Sequence, residues 1–436
     1  MTLDPRATIA AEPMRPAQVA VVATCIALNA LDGFDVLAIS FAAPGIASEW
    51  GVDKAVLGIV LSMELIGMAA GSLLLGNLAD RIGRRPTILA CLCVMAAGMI
   101  AASRAGDVTS LSVIRLITGI GIGGMLSATS AMVAEFANDR RRGLATVLNI
   151  AGYSTGAILG GLVAAGLLAN GGDWRAVFVF GGAMTLVALP LAFLLLPESI
   201  DFLLARRPAN ALAAVNRTLA RLHHPPLAVL PAQETRPTPP SILALFSPRY
   251  RMPTVLLTVA YFAQITLFYY VQKWVPKIVV DLGFDAAQAA RVLVAANVGN
   301  LLGALAIGLA TQRLALRPLV GGAMVVGVGM IGVFGTGFAD LAALSLSVGL
   351  AAFFINAGVV GLYPLLAHTY PASLRATGTG FVIGIGRGGS VVGPLLAGAL
   401  FGGGAGLLAV SLVMGVGGII AAIAVSMLRL EPSSHS

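Results

Sequence analysis

Two aspartates, in the stretch Asp32-Gly33-Phe34-Asp35, interrupt a run of apolar residues: Val19 to Leu31 precede them and Val36 to Ile46 follow. At a spacing of i, i+3 they share one face of a helix. A carboxylate is costly in lipid, so acids in such a run face a bundle interior or a wet cavity, where they serve ion pathways and proton relays. The competing reading is a static ion pair that locks helices together. Glu64, Arg115 and Arg387 also stand inside apolar runs. Glu64 could be a second proton site, since a buried carboxyl can hold a proton, or a protonated, hydrogen-bonded spectator. Arg115 stays charged and offers a planar fork that suits a carboxylate. Its depth matches that of Asp35, which makes Asp35 its expected partner. Asp32 and Arg387 fall near the middle of their helices at about 1.5 Å per residue. Arg387 is the preferred ligand for an anionic substrate, against pairing with an acid elsewhere in the chain.

The elements that must position these groups follow from composition. The chain of 436 residues is 58% hydrophobic and only 11% charged, which excludes an ordinary soluble domain. Its apolar segments recur at about 20 residues, enough to cross about 30 Å of hydrocarbon as helices. The hydrocarbon supplies no partners for backbone groups, so an all-α integral membrane bundle is expected. Spans are placed at 18–46, 55–79, 86–104, 108–135, 143–169 and 174–196, then at 253–280, 286–311, 318–338, 341–367, 376–400 and 405–428. This gives a cytoplasmic tail (1–17), a six-helix bundle (18–197), a polar middle loop (198–252), a second six-helix bundle (253–428) and a short tail (429–436). Residues 1–16 read as disordered. In the middle loop, Leu212, Val215, Leu219 and Leu222 recur every three or four residues beside Arg217 and Arg221, the pattern of an amphipathic helix on the membrane face.

The net charge of +8 does not argue for nucleic acid, because arginines concentrate in alternate loops. That bias places both termini in the cytoplasm of a multi-pass inner-membrane protein. Cys25, Cys91 and Cys93 read as small packing residues. The histidines form no metal or catalytic constellation, and no nucleophile elbow or phosphate loop has a fitting context. Neither a metal nor a cofactor is expected; a proton gradient would supply the energy.

The linker between the second and third spans, Gly76-Asn77-Leu78-Ala79-Asp80-Arg81-Ile82-Gly83-Arg84-Arg85-Pro86, has a counterpart at Gly308 to Pro318 in which Gly, Arg, Arg and Pro recur in register. Parallel repeats of this kind build secondary transporters. Gly76 would allow close helix approach, Asp80 would cap a helix end or pair with a base, Gly83 would permit the turn, and Arg81, Arg84 and Arg85 would hold the loop at the cytoplasmic face.

This linker resembles the loop signature of the major facilitator superfamily. Within it the chain is similar to the aromatic acid:proton symporters. The likeness rests on Asp32-Gly33-Phe34-Asp35 with Ala42-Ala43-Pro44, on Arg115 to Gly124, on Leu196-Pro197-Glu198-Ser199, and on Arg375-Ala376-Thr377-Gly378 with Arg387-Gly388-Gly389-Ser390. The resemblance implies proton-coupled import of benzoate-type acids, with Asp32, Asp35, Arg115, Arg375 and Arg387 as the residues that matter most. Arg375, at a helix end, reads as a gate or anchor. Glu64 departs from the family pattern.

An aromatic substrate wants ring faces and hydroxyl partners. Candidates are Tyr153 in the fifth span, Tyr269, Tyr270 and Trp274 in the seventh, Asn297 in the eighth and Asn356 in the tenth. Lys273 is expected to snorkel outward. Gly152, Gly156, Gly160 and Gly161 read as small-residue helix packing. The expected partners are an aromatic acid, protons and the bilayer, for a carrier working as a monomer. With one proton per monoanion the cycle would move no net charge. A proton antiporter exporting drugs or organic acids is the alternative. A membrane sensor or a membrane enzyme is less favoured.

Overall fold

The computed structural model describes residues 4–232 and 241–428. Among them, twelve helices are long and apolar enough to cross a membrane. In chain order the helices are α1 (Pro5–Ala11), α2 (Pro16–Trp50), α3 (Lys54–Ile82), α4 (Arg84–Ala102), α5 (Val108–Phe136), α6 (Asp139–Leu167), α7 (Arg175–Leu195), α8 (Ile200–Arg206), α9 (Ala211–Arg221), α10 (Arg251–Asp281), α11 (Ala286–Ala310), α12 (Leu316–Gly335), α13 (Leu341–Thr369), α14 (Ala372–Gly386), α15 (Gly388–Gly402) and α16 (Leu407–Met427). α14 and α15 together make the eleventh span, with Arg387 between them. Short acidic residues punctuate the turns. Asp107 accepts from the backbone N–H groups of Thr109 and Ser110, and Asp285 forms a capping box with Gln288. Each satisfies donors that a helix start leaves open.

Two expectations need correction. From Asp4 onward the amino-terminal segment, expected to be disordered, is ordered. Pro5 opens α1, Asp4 caps it and Ile9 is buried. The Asn138 Nδ2 group donates to the Glu12 carbonyl at 3.0 Å, and the Gln18 amide donates to the Phe136 carbonyl at 3.1 Å. The apolar stripe of the amphipathic α9 faces protein and not lipid. Val215, Leu219 and Leu222 are buried against protein, and Thr218 donates to the Glu198 carbonyl. Its apolar stripe fits a protein groove as readily as a lipid surface, and periodicity alone does not separate the two. The tail 429–436 lies outside the described residues.

The chain forms two compact units. The first holds residues 1–38, 63–160 and 175–236; the second holds 39–62, 161–174 and 237–436. In the first, α3 and α5 touch backbone to backbone. A Cβ on Gly67, Gly71, Gly119 or Gly123 would collide with the carbonyl of Leu116, Ile120, Glu64 or Met68, respectively. α2 and α6 meet in the same way, with Gly33 against the Tyr153 carbonyl and Gly156 against the Ala30 carbonyl. Such small-residue contacts let membrane helices approach closely without a hydrophobic drive between them. In the second unit, Trp174 fills the notch at Gly45 and donates to Glu49 at 2.8 Å. Lys54 pairs with Asp281 at 2.9 Å, and Ser62 donates to the Val391 carbonyl at 3.1 Å.

Candidate functional site

The glycine ladder between α3 and α5 sets the geometry of the buried charges. Because the two backbones touch at Gly119 and Glu64, the Glu64 side chain lies directly beside Arg115. The Arg115 guanidinium pairs with the Glu64 carboxylate, and both side chains have no exposed surface. Arg115 also donates to the Met99 sulfur at 3.1 Å and lies 5.4 Å from the centre of the Phe178 ring. Asp35 offers Arg115 only its backbone carbonyl, at 3.4 Å. The expected Arg115–Asp35 carboxylate pair is therefore replaced by Arg115–Glu64. Depth along the helices allowed either pairing, and direct contact of α3 with α5 decides it. Complete burial also removes Arg115 from the set of exposed substrate ligands in this state.

Asp32 and Asp35 are 1% and 0% exposed, and none of their four carboxyl oxygens has a hydrogen-bond partner among the described residues. Asp35 looks toward Gly181 of α7, where a Cβ would come within 3.1 Å of its Oδ1. Asp32 lies within electrostatic reach of both Asp35 and the Cys91 thiol of α4. Three carboxyls and one guanidinium thus share the interior of one helical unit.

In the second unit Arg387 sits between α14 and α15 of the eleventh span, half-buried. Gly386 and Gly389 beside it allow α10 to approach, since a Cβ on either would strike Tyr261 or the Phe262 carbonyl. The Arg387 side chain makes no hydrogen bond or ion pair with any described residue. Nearby, the Tyr261 and Tyr363 hydroxyls are 3.4 Å apart, with their rings edge to face. Tyr363 is exposed and Tyr261 buried. Both phenols belong to the aromatic and polar side chains that the sequence offers as a cavity lining in the seventh and tenth spans, although neither stood among the preferred ligands. Tyr261 heads the aromatic run of the seventh span, but only its contact with the Arg387 turn separates it from its neighbours.

The remaining expected ligands divide. Tyr153 and Tyr269 are half-buried, and Tyr269 packs edge-on against Phe268 at 5.3 Å. Asn356 donates to the Asn300 carbonyl at 2.7 Å. Asn297 is buried and accepts from Gln272 at 3.0 Å. Tyr270 and Trp274 are sealed inside helix contacts, the first bonded to Ser411 at 3.0 Å and the second donating to the Pro394 carbonyl at 3.1 Å. Their polar tips are spent on neighbouring helices, so they hold the unit together instead of lining a cavity. Lys273 is also fully buried and does not snorkel.

At the loop between α3 and α4, Gly83 adopts φ 110°, a conformation that side chains resist. Arg84 pairs with Glu135 at 2.5 Å, and its backbone N–H, like that of Arg85, donates to Glu198. Arg85 donates to the Phe193 carbonyl at 2.8 Å. Asp80, Arg81 and Arg375 are exposed, and Asp80 lies 3.7 Å from Arg84. The half-buried partner of Arg84 is Glu135. Gly76 has nothing closer than 3.8 Å to a notional Cβ, so the close approach belongs to Gly67 and Gly71 instead. No group of three or more His, Cys, Asp or Glu residues placed to hold a metal occurs among the described residues.

Comparison with known proteins agrees with this architecture. Residues 25–297 match the Major Facilitator Superfamily model. The chain is 30% identical to a gallate transporter of Pseudomonas putida over 97% of its own length and 94% of that protein. It is 31% identical to the 4-hydroxybenzoate transporter PcaK of Pseudomonas aeruginosa, over 92% and 90% of the two chains. A 3-(3-hydroxy-phenyl)propionate transporter of Escherichia coli is 30% identical over 94% and 95%. Among solved structures, the inward-open xylose transporter XylE of E. coli superposes with a TM-score of 0.72 at 17% identity, covering 96% of this chain and 98% of that one. The chain is a multi-pass membrane transporter of the major facilitator superfamily and groups with its aromatic acid transporters.

Proposed function

We propose that this protein imports an aromatic carboxylate of the hydroxybenzoate or benzoate type together with protons, by alternating access. The observation that carries the reading is Arg387. A half-buried guanidinium in an apolar span, without a hydrogen bond or ion pair to any described residue, demands an anion. Two phenol hydroxyls stand near it, and the Tyr261 and Phe262 side chains flank its turn. A planar guanidinium binds a carboxylate through two parallel hydrogen bonds, and aromatic edges suit the ring of such an acid. The names of the relatives, all carriers of aromatic acids, support the same substrate class.

The buried carboxyls Asp32 and Asp35 are the proton-carrying groups in this reading. The Gly76–Arg85 loop and Arg375 keep the gating role, supported by the ties of Arg84 to Glu135 and Glu198. The alternating arginine-rich loops favour the inner membrane of a bacterium with both termini in the cytoplasm. The carrier works as a monomer.

The test is uptake of a panel of radiolabelled aromatic acids into proteoliposomes with an inward proton gradient, with and without a protonophore. Protonophore-sensitive accumulation of one acid, slowed about tenfold or more in Arg387→Ala, is the expected result. Failure of every acid to accumulate, from correctly inserted protein, overturns the substrate class.

A further inference from the structure

A groove of about 900 Å³ runs between α12 and α16 of the second unit. Gly321 and Gly322 line it, and Val325 and Ile423, both exposed, form its outer walls. A Cβ at Gly322 would meet nothing within 4 Å, and one at Gly321 would only touch the Ala422 carbonyl at 4.0 Å. The groove thus exists because two glycines stand where side chains would fill it. Both helices are long and apolar enough to span a membrane, so its apolar walls face hydrocarbon. From Arg317 at one end to Val326 at the other, α12 rises about 13 Å. That is close to half of a hydrocarbon core of about 30 Å, the depth of one leaflet.

Arg317 stands half-buried in the first turn of α12, at the mouth of this groove. Its Nη2 group donates to the Ser426 carbonyl of α16, while its buried Nε has no hydrogen-bond partner among the described residues. α12, α16 and the loop 311–315 contain no acidic residue, and Arg313 in that loop is exposed. The start of the helix adds its own positive end. The first unit offers a filled counterpart. Arg85 holds the place of Arg317 in the repeated loop, and it too donates to a carbonyl near the end of a neighbouring span, that of Phe193. There the Phe193 ring covers the guanidinium at 4.9 Å. At Arg317 the carbonyl belongs to Ser426, whose hydroxyl turns back to the Ile423 carbonyl at 2.7 Å, so no ring from that position covers the charge.

We propose that this groove binds an anionic phospholipid from the leaflet on the side of the arginine-rich loops, with its phosphate on Arg317 and one acyl chain along Gly321, Gly322 and Val325. A cation over an apolar slot of one-leaflet depth matches an amphiphile with a negative head and a long chain, and basic pockets between membrane helices hold such headgroups. The site shares no residue with the Arg387 turn and stands whether or not an aromatic acid is the cargo.

Native mass spectrometry of the full-length, delipidated protein tests this, with phosphatidylglycerol or phosphatidylcholine of the same chains as titrant. Wild-type protein is expected to bind its first phosphatidylglycerol about tenfold or more tightly than phosphatidylcholine, and Arg317→Gln to lose that preference. Arg317→Lys should keep part of it. Gly322→Leu has room for its Cβ and suits a helix better than glycine, so it fills the slot in a folded protein and should weaken both lipids. Equal binding of the two lipids by wild type, an unchanged preference in Arg317→Gln, or undiminished binding in Gly322→Leu overturns the proposal. A wild-type dimer that Gly322→Leu splits at unchanged lipid binding makes a second copy of the chain the occupant. Lipid binding that appears only after truncation at Leu428 makes residues 429–436 the occupant. Either of these results overturns it as well.

Discussion

Arg115 and Glu64 form a fully buried ion pair across the backbone contact of α5 and α3, while the neighbouring Asp35 gives Arg115 only a main-chain carbonyl at 3.4 Å. Truncating the arginine breaks this pair and removes the Arg115 charge from beside the buried Glu64. Arg115→Ala should lower stability by about 3–5 kcal/mol, and Arg115→Lys should lose less because the charge survives without the fork. Thermal unfolding of the solubilised protein, followed by tryptophan fluorescence, checks the order.

The substrate claim predicts a graded series at Arg387. Loss of a charge-assisted contact costs about 1.5–3 kcal/mol, so Arg387→Ala should reduce kcat/KM for the transported acid by about tenfold to a hundredfold or more. Arg387→Lys should retain part of it, since a point charge cannot reproduce two parallel bonds. Initial-rate uptake measures both. Tyr270→Phe, which removes only the bond to Ser411, should leave KM unchanged and cost about 1 kcal/mol of stability.

The glycine ladder gives a steric prediction. Gly119→Ala drives a methyl group into the Glu64 carbonyl, and Gly67→Ala does the same at Leu116. Helix separation or backbone shifts should cost about 1–3 kcal/mol each. Gly76→Ala meets nothing closer than 3.8 Å and should be tolerated. Melting temperatures of the three variants provide the comparison.

The Lys54–Asp281 pair is partly exposed on both sides, at 38% and 33%, and Asp281 also binds Lys277. Water and salt screen such a pair, so its coupling should be about 0.2–1 kcal/mol and should shrink as salt rises. A double-mutant cycle of Lys54→Ala and Asp281→Ala at two ionic strengths measures it.

His224, in the segment after α9, is buried with its Nδ1 3.4 Å from Glu12. Burial and then Arg15 push its imidazole below the usual histidine range, and Glu12 offsets only part of this. The folded protein therefore binds fewer protons here than the unfolded chain does. The stability this gives is present above about pH 6.5 and is lost as pH falls through that value toward the lower, folded one. A melting curve between pH 5.5 and 7.5 should show the loss, and His224→Gln should flatten it.

Much of this was legible in the residues alone. Span positions followed from hydropathy, and the structure moves their ends by a few residues. Arg387 was identifiable from its type and depth. Arg115 stood out as a charge inside an apolar run, but its expected pairing with the Asp35 carboxylate gives way to Glu64. Gly119 and Gly123 were visible, yet their meaning depends on Gly67 and Gly71 of another helix, and a single sequence does not say which helices touch. The aromatic run of the seventh span illustrates the same limit. Tyr261, Tyr270 and Trp274 look alike in sequence, and only the rotation of α10 against α15 and α16 separates the phenol beside Arg387 from the two spent on packing.

Arg387 leaves a helical stretch of 15 residues on either side, each about 22 Å long, and neither alone crosses about 30 Å of hydrocarbon. The residue itself keeps helical φ and ψ, −60° and −19°, and its N–H bonds the Ile383 carbonyl at 2.9 Å, so the two stretches run on as one span. The consequence is one of depth: equal lengths on each side hold the Arg387 backbone midway along the span, as far as it can be from either end.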